Sequence, residues 1–225
     1  DTIFNYRGEA MVFIDTAGIR RRGKVEVGIE QYSVMRALNA ISRADVVMLV
    51  TEAADMMTVQ DMHIAGYVQE ALKGIVVVVN KWDLADALGK DKAQCTREIR
   101  QKLKFFPGVP IVFASAQFGK GITRVLSAAR EVYQERQKRL PTPELNDEIN
   151  RVVTGHPPPS VKGKQLKVSY VTQPAINPPT FVFFVNDPRL LHFSYQRYLE
   201  NSLRQAFGFK GTPLKLIFRR KGKHD

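Results

Sequence analysis

The sequence predicts an α/β fold, a parallel sheet covered by helices, followed by a smaller α+β module. Three observations carry this. Apolar runs of strand length recur at residues 10–14, 45–50, 74–79 and 110–114. Amphipathic helical stretches at 30–42, 58–72, 92–103 and 122–140 alternate with them or follow the last one. Beyond Pro141 the alternation stops and an α-β-β-α-β order takes over. Strands alternating with helices build a sheet covered on both faces. The 225 residues suit one or two domains, and the composition divides them into 1–140 and 141–225.

The chain starts at Asp1 and enters a strand-like segment almost at once, reaching the run 10–14 that ends at Asp15. Residues 74–79 contain four consecutive valines. Continuous Val/Ile runs of this kind suit parallel strands buried on both faces, and all four runs are expected to be such strands. The helix over 30–42 places Val34, Leu38 and Ile41 on one face, and the helix over 58–72 does so with Met62, Ala65, Val68 and Leu72. Cys95, Ile99 and Leu103 share a face over 92–103. From 122 to 140 the inward face is Ile122, Val125, Leu126, Ala129, Val132 and Tyr133. Pro141 and Pro143 are expected to end that helix, because proline lacks the amide donor and clashes with the preceding turn.

Composition excludes several classes. With 44% hydrophobic and 25% charged residues the chain reads as globular rather than disordered. No apolar run approaches the roughly 18 residues of a membrane span. A single Cys95 excludes an intramolecular disulfide and any Cys-based metal cluster, which fits a reducing compartment. The formal charge is +12, which points to an anionic partner such as nucleic acid. Residues 1–140 hold 21 Lys+Arg against 16 Asp+Glu, and residues 141–225 hold 13 against 6. The excess is therefore denser in the second part.

In α/β sheets ligands bind beyond the carboxyl ends of the strands, so the residues just past each run carry the functional reading. Asp15-Thr16-Ala17-Gly18 follows the first. A carboxylate there can hold Mg²⁺ through water, and the glycine admits a backbone amide to a terminal phosphate. Taken alone the motif is weak and reads first as an ordinary turn. Asn80-Lys81-Trp82-Asp83 follows the third run and is more specific. Asp83 can accept from both the ring N–H and the exocyclic amine of guanine, a donor pair adenine lacks, and an unmatched polar pair is costly. Asn80 would brace neighbouring loops, and the Lys81 stem would lie along the base. Ser115-Ala116, with Gly119 and Gly121, follows the fourth run, where the Ala116 N–H could donate to the guanine carbonyl. Independent turns would rarely produce all three in order, each at a strand end.

The set resembles the Ras-like (TRAFAC) P-loop GTPases. The wider text resembles one family among them. Asp15-Thr16-Ala17-Gly18-Ile19-Arg20-Arg21-Arg22-Gly23-Lys24, Glu30-Gln31-Tyr32-Ser33, His156-Pro157-Pro158-Pro159, Asn186-Asp187-Pro188 and Leu191-His192-Phe193-Ser194-Tyr195 are similar to the bacterial ribosome-assembly GTPases of the Der (EngA) family. That family has two tandem GTPase domains and a C-terminal KH-like domain. The resemblance covers essentially the whole chain, as a second GTPase domain over 1–140 and a KH-like domain over 141–225. It implies GTP or GDP as ligand with Mg²⁺ at Asp15, GTP hydrolysis, and the ribosomal large subunit and its rRNA as partners. It also implies a cytoplasmic monomer with no membrane partner.

The chain departs from the pattern. No Gly-x-x-x-x-Gly-Lys-Ser/Thr occurs in it, so the phosphate cradle and its lysine are missing. A switch threonine is missing too. The expectation is an N-terminally truncated GTPase whose phosphate loop precedes Asp1, inactive by itself. The rival is a non-catalytic RNA- or ribosome-binding module on a degenerate nucleotide fold. Ile19 stands where Ras-type enzymes carry the water-orienting glutamine, so no catalytic residue is assigned. Relatives with a hydrophobic residue there can use K⁺ to stabilise charge. Arg20, Arg21, Arg22 and Lys24 form a basic stretch suited to RNA contact or to a solvated loop.

In the second part, 144–153 is expected as a helix with Leu145 and Ile149 inward, and 191–207 as another with Tyr195, Leu199 and Leu203 inward. Strands are expected at 165–172, 180–185 and 213–219. In the first of these, Leu166, Val168 and Tyr170 should face away from Lys167, Ser169 and Val171. Lys162, Lys164, Arg219, Arg220 and Lys221 lead the basic residues able to neutralise RNA phosphates. Gly208-Phe209-Lys210-Gly211 spells a Gly-x-x-Gly, but between a helix and a strand it reads as a helix cap and turn.

Overall fold

A computed structural model describes residues 1–14, 27–161 and 163–222, the side chains of 27–34 excepted. The chain divides into two compact units, Asp1–Tyr133 and Gln134–Asp225. Among the described residues, no helix is long and apolar enough to cross a membrane.

The first unit runs β1 (Thr2–Tyr6), β2 (Glu9–Phe13), α1 (Val27–Arg43), β3 (Val46–Glu52), α2 (Val59–Glu70), β4 (Gly74–Asn80), α3 (Lys92–Lys102), β5 (Ile111–Phe113) and most of α4 (Ile122–Arg136). Strand β4 lies between β3 and β5, and both pairings are parallel. All of β4 but Asn80 is buried. Successive side chains of a strand point to opposite faces, so the valine run needs cover on both. Ile75, Val77 and Val79 join a cluster with Ile41, Ala65, Val68, Cys95 and Ile99. Val76 and Val78 join another with Ala114, Val125, Ala129 and Val132. Burial pushes the Cys95 thiol pKa up. Helix α2 begins with a reciprocal cap, in which Asp61 N–H donates to Thr58 Oγ1 at 3.2 Å and Thr58 N–H donates to Asp61 Oδ2 at 2.9 Å.

The first apolar run does not form a buried parallel strand. It is β2, paired antiparallel with β1 and half exposed. The reason is local turn chemistry. Tyr6 pairs with Glu9 across the two residues Arg7 (φ 55°) and Gly8 (φ 83°). Positive φ at both central positions gives the primed turn whose twist matches a hairpin. Asn5 Oδ1 accepts from Gly8 N–H at 2.9 Å. The hairpin is tied to α4 by Tyr6 Oη with Ser127 Oγ at 2.8 Å and by Arg130, which donates to both Glu9 carboxylate oxygens at 2.7 and 2.8 Å. The same contact lowers the Glu9 pKa.

Helix α4 stops at Arg136, before the prolines expected to end it. Tyr133 and Ile122, expected inward, are exposed. Pro143 instead lies in the first turn of the next helix, where a missing N–H costs nothing.

The second unit continues with α5 (Thr142–Gly155), β6 (Ser160–Val161), β7 (Lys164–Gln165), β8 (Val168–Ile176), β9 (Pro179–Val185), α6 (Phe193–Phe207) and β10 (Lys215–Arg220). The main sheet has the order β10-β9-β8, with β8 antiparallel and β10 parallel to β9. A parallel neighbour needs a crossover, and α6 supplies it. Phe181, Phe183 and Val185 pack with Leu145 and Ile149 of α5 and with Tyr195, Leu199 and Leu203 of α6. Burial raises the Tyr195 pKa to about 12. Asn146 of α5 plugs the β8 edge, donating to Val171 O at 2.9 Å and accepting from Val171 N–H at 2.8 Å.

The expected alternation in the first of these strands fails at Ser169. Pairing steps from Val168 opposite Val185 to Tyr170 opposite Phe184, which leaves Ser169 as an extra residue. A bulge of one residue reverses the facing of everything after it. Val171 is therefore buried in the core, and Tyr170 stands outside it at 40% exposure. In the Gly208-Phe209-Lys210-Gly211 stretch, Gly208 (φ 91°) caps α6. Phe209 is fully buried edge-on to Phe181 at 5.7 Å. Its N–H donates to Glu135 Oε2 at 2.5 Å, and Arg204 donates to the carbonyls of Phe209 and Thr212 at 3.0 Å.

Candidate nucleotide site

The carboxyl ends of β3, β4 and β5 come together at Asn80. Its backbone carbonyl accepts from Ala53 N–H at 3.0 Å, and its Oδ1 accepts from Ala116 N–H at 3.0 Å. One side chain thus ties the loop after β5 to the end of β4, while its main chain holds the loop after β3. Lys81 then turns the chain in the left-handed region (φ 57°, ψ 35°). Its ammonium sits 2.8 Å from Glu52 Oε1, both side chains being exposed. Trp82 N–H donates to Ala114 O at 3.0 Å, and its ring meets Phe113 edge-on at 4.3 Å. These contacts fix the short 3-10 turn Trp82–Leu84, with Asp83 in its first turn.

Asp83 is exposed, and among the described residues its carboxylate has no hydrogen-bond or ion-pair partner. Both oxygens are free to accept. Ser115 is buried, and its hydroxyl has no partner among the described residues. Its N–H donates to Lys120 O at 2.9 Å, closing the loop that follows β5. Gly121 (φ 83°) completes that closure, since a Cβ there would lie 2.7 Å from Phe113 O.

Two features differ from sequence expectation. The Ala116 N–H, expected to donate to a guanine carbonyl, donates to Asn80 in this structure. Glu52 carries no signal of its own in the sequence, where the apolar run ends at Val50. Strand β3 continues to Glu52, which brings that carboxylate level with Asn80 in the paired register. The signal was the unbroken strand pattern through Thr51, a buried residue whose Oγ1 accepts from Met57 N–H at 2.9 Å.

Asp15, Thr16, Ala17 and Gly18 lie outside the described residues, as do Ile19, Arg20, Arg21, Arg22, Lys24, Lys162 and Lys223. Of the basic residues assigned to RNA, Arg219, Arg220 and Lys221 are contiguous and exposed at the end of β10, and Lys164 is exposed on β7. Near them Asp187 accepts from the Arg189 side chain at 2.8 Å and from its backbone N–H at 3.1 Å, which lowers its pKa to about 2.

Comparison with known proteins gives two family matches. The elongation factor Tu GTP-binding domain matches residues 26–135. The KH-domain-like C-terminal region of EngA bacterial GTPase enzymes matches residues 139–219. GTPase Der of Chloroflexus aggregans is 49% identical over 226 residues, covering 100% of this chain and 50% of its own length. The chain belongs to the Der (EngA) family. GTPase Der of Thermomicrobium roseum is 49% identical over 221 residues, and that of Symbiobacterium thermophilum is 50% identical over 218. They cover 97% and 96% of this chain and 48% and 46% of their own lengths. The chain spans about half the length of the curated Der relatives it matches. A solved structure of Era in complex with MgGDPNP and nucleotides 1506–1542 of 16S ribosomal RNA aligns over 98% of this chain and 80% of its own, at 19% identity and a TM-score of 0.46. That similarity is too low to bear on the ligands of this Der-family chain.

Proposed function

We propose that the chain is the guanine-binding and RNA-binding part of a GTPase acting in assembly of the ribosomal large subunit. Nucleotide recognition is assigned to 1–140 and RNA recognition to 141–225. The observation that carries the reading is the Asp83 carboxylate, without a partner among the described residues and held at a strand end beside the Asn80 bridge. A guanine base fits these residues. Its two donors find a carboxylate with no partner among the described residues. Lys81, held at its tip by Glu52, offers its stem to the base plane. Asp15 would hold Mg²⁺ through water, and K⁺ would supply the charge stabilisation that Ile19 cannot assist by hydrogen bonding. Bound GTP with its metal supplies the phosphoryl group that is transferred. The protein's part is positioning and charge stabilisation.

The 225 residues contain no phosphate-binding loop, and base contacts alone do not replace the phosphate contacts. Purified as they stand, they are expected to show no GTP turnover. Joined to a Gly-x-x-x-x-Gly-Lys-Ser segment, they are expected to hydrolyse GTP. Absence of turnover in both polypeptides would sink the enzyme reading and favour a non-catalytic RNA-binding module. The cellular role is tested by depletion, with sucrose-gradient profiles expected to show a deficit of large subunits. An unchanged ratio of large to small subunits would remove the assembly role.

A further inference from the structure

We infer that the end of the β10-β9-β8 sheet carrying Tyr170 and Phe184, on the face turned away from α5 and α6, is a stacking platform for single-stranded RNA. The inference rests on the RNA reading of the second unit and names the surface and the form of RNA. It begins with the bulge at Ser169. By placing Val171 in the core, the bulge turns Tyr170 onto the opposite face. There Tyr170 lies opposite Phe184, with ring centroids 4.3 Å apart and planes 14° from parallel. Phe184 lies opposite Arg219 in the paired register on its other side. One row across the sheet therefore reads Tyr170, Phe184, Arg219. Further along β10 on the same face stands the exposed Lys215, paired in register with Thr180.

Core packing does not account for this row. The helices α5 and α6 pack against the other face, on Phe181, Phe183 and Val185. A tyrosine at 40% exposure with its ring held parallel to a second aromatic is a pre-ordered surface, so little conformational entropy is lost when a third ring joins the stack. Charge selects the occupant. None of the three strands carries a carboxylate, while β10 alone carries Lys215, Arg219 and Arg220. An aromatic pair with Arg219 in the same row suits unpaired bases on a phosphate backbone. A-form duplex RNA keeps its bases stacked inside and offers only groove edges and phosphates.

The test is fluorescence anisotropy of the whole chain with three labelled RNAs of equal length: a 12-mer single strand, the same sequence as a duplex, and an abasic strand of the same charge. The single strand is expected to bind at least about tenfold more tightly than the other two, from the worth of base–aromatic stacking. Tyr170→Ala should weaken single-strand binding roughly 5- to 150-fold and leave its salt dependence unchanged. Tyr170→Phe should keep wild-type affinity. Arg219→Gln should lower the slope of log affinity against log salt by about 0.7, one phosphate contact on a single strand. If the abasic strand or the duplex binds as well as the single strand, or Tyr170→Ala is silent, the platform is overturned and an electrostatic RNA contact remains. If none of the three RNAs binds, the RNA reading of the second unit falls with it. The abasic comparison uses unaltered protein, so misfolding of a variant cannot mimic the expected result.

Discussion

Asp83→Asn, in a polypeptide joining these residues to a phosphate-binding loop, is expected to weaken GDP binding roughly 10²- to 10⁴-fold. The size follows from two charge-assisted hydrogen bonds, each worth about 1.5–3 kcal/mol. An amide retains one acceptor, but its NH₂ would then face one of guanine's two donors. Xanthine carries a carbonyl in place of the exocyclic amine, so the same substitution should raise affinity for xanthosine diphosphate. The fold should be unaffected, because Asp83 is exposed and makes no bond among the described residues. Calorimetric titration of wild type and variant with both nucleotides measures the exchange. A variant that still prefers GDP by the wild-type margin would remove Asp83 from base recognition.

Phe181→Ala is expected to cost about 3–5 kcal/mol of stability in the second unit. Phe181 is fully buried in the central strand of its sheet and meets the fully buried Phe209 edge-on. Truncation would open a cavity whose walls cannot readily close. Strands β8 and β10 hold the backbone on both sides, and Phe209 is anchored through Glu135. Against a typical domain stability of about 5–15 kcal/mol, the loss should move the urea midpoint followed by circular dichroism far down. Phe181→Leu keeps most of the volume and should cost much less. Equal midpoints for wild type and Phe181→Ala would mean that Phe181 is not the keystone its burial implies.

The most legible part of the molecule in the sequence was β4 together with the turn at its carboxyl end. A run of four valines between turn signals allows little besides a strand buried on both faces, and the polar stretch from Asn80 to Asp83 must then emerge where that strand stops. Cys95 and Ile99, and likewise Leu145 and Ile149, kept their helical spacing in the structure. The run at 10–14 was less legible. Five apolar residues fit a buried parallel strand and one half of a hairpin equally well, and the deciding residues, Arg7 and Gly8, lie outside the run. The stretch at 165–172 alternates throughout in the sequence, and Ser169 breaks the pattern in the fold. A serine carries no mark that it will be the extra residue of a bulge, because a bulge is a mismatch with the partner strand rather than a property of its own. Glu52 was missed for a related reason. An acidic residue after an apolar run looks like the start of a loop until the partner strand shows that pairing continues.

Spacing and composition alone specified most of the strands and helices, that the polar stretch from Asn80 to Asp83 ends a buried strand, and that positive charge concentrates after residue 140. These depend on spacing and composition within a few residues of each other, where periodicity and turn chemistry act directly. The folded chain was needed to show that Asn80 engages Ala116, that Lys81 pairs with Glu52, that β2 belongs to a hairpin, and that Tyr170 and Phe184 face outward together. Each of these joins segments well separated along the chain, or depends on the register between two strands. Register is set by how whole strands pair and bury their faces, so a shift of one residue at Ser169 was enough to turn an expected core tyrosine into a surface one.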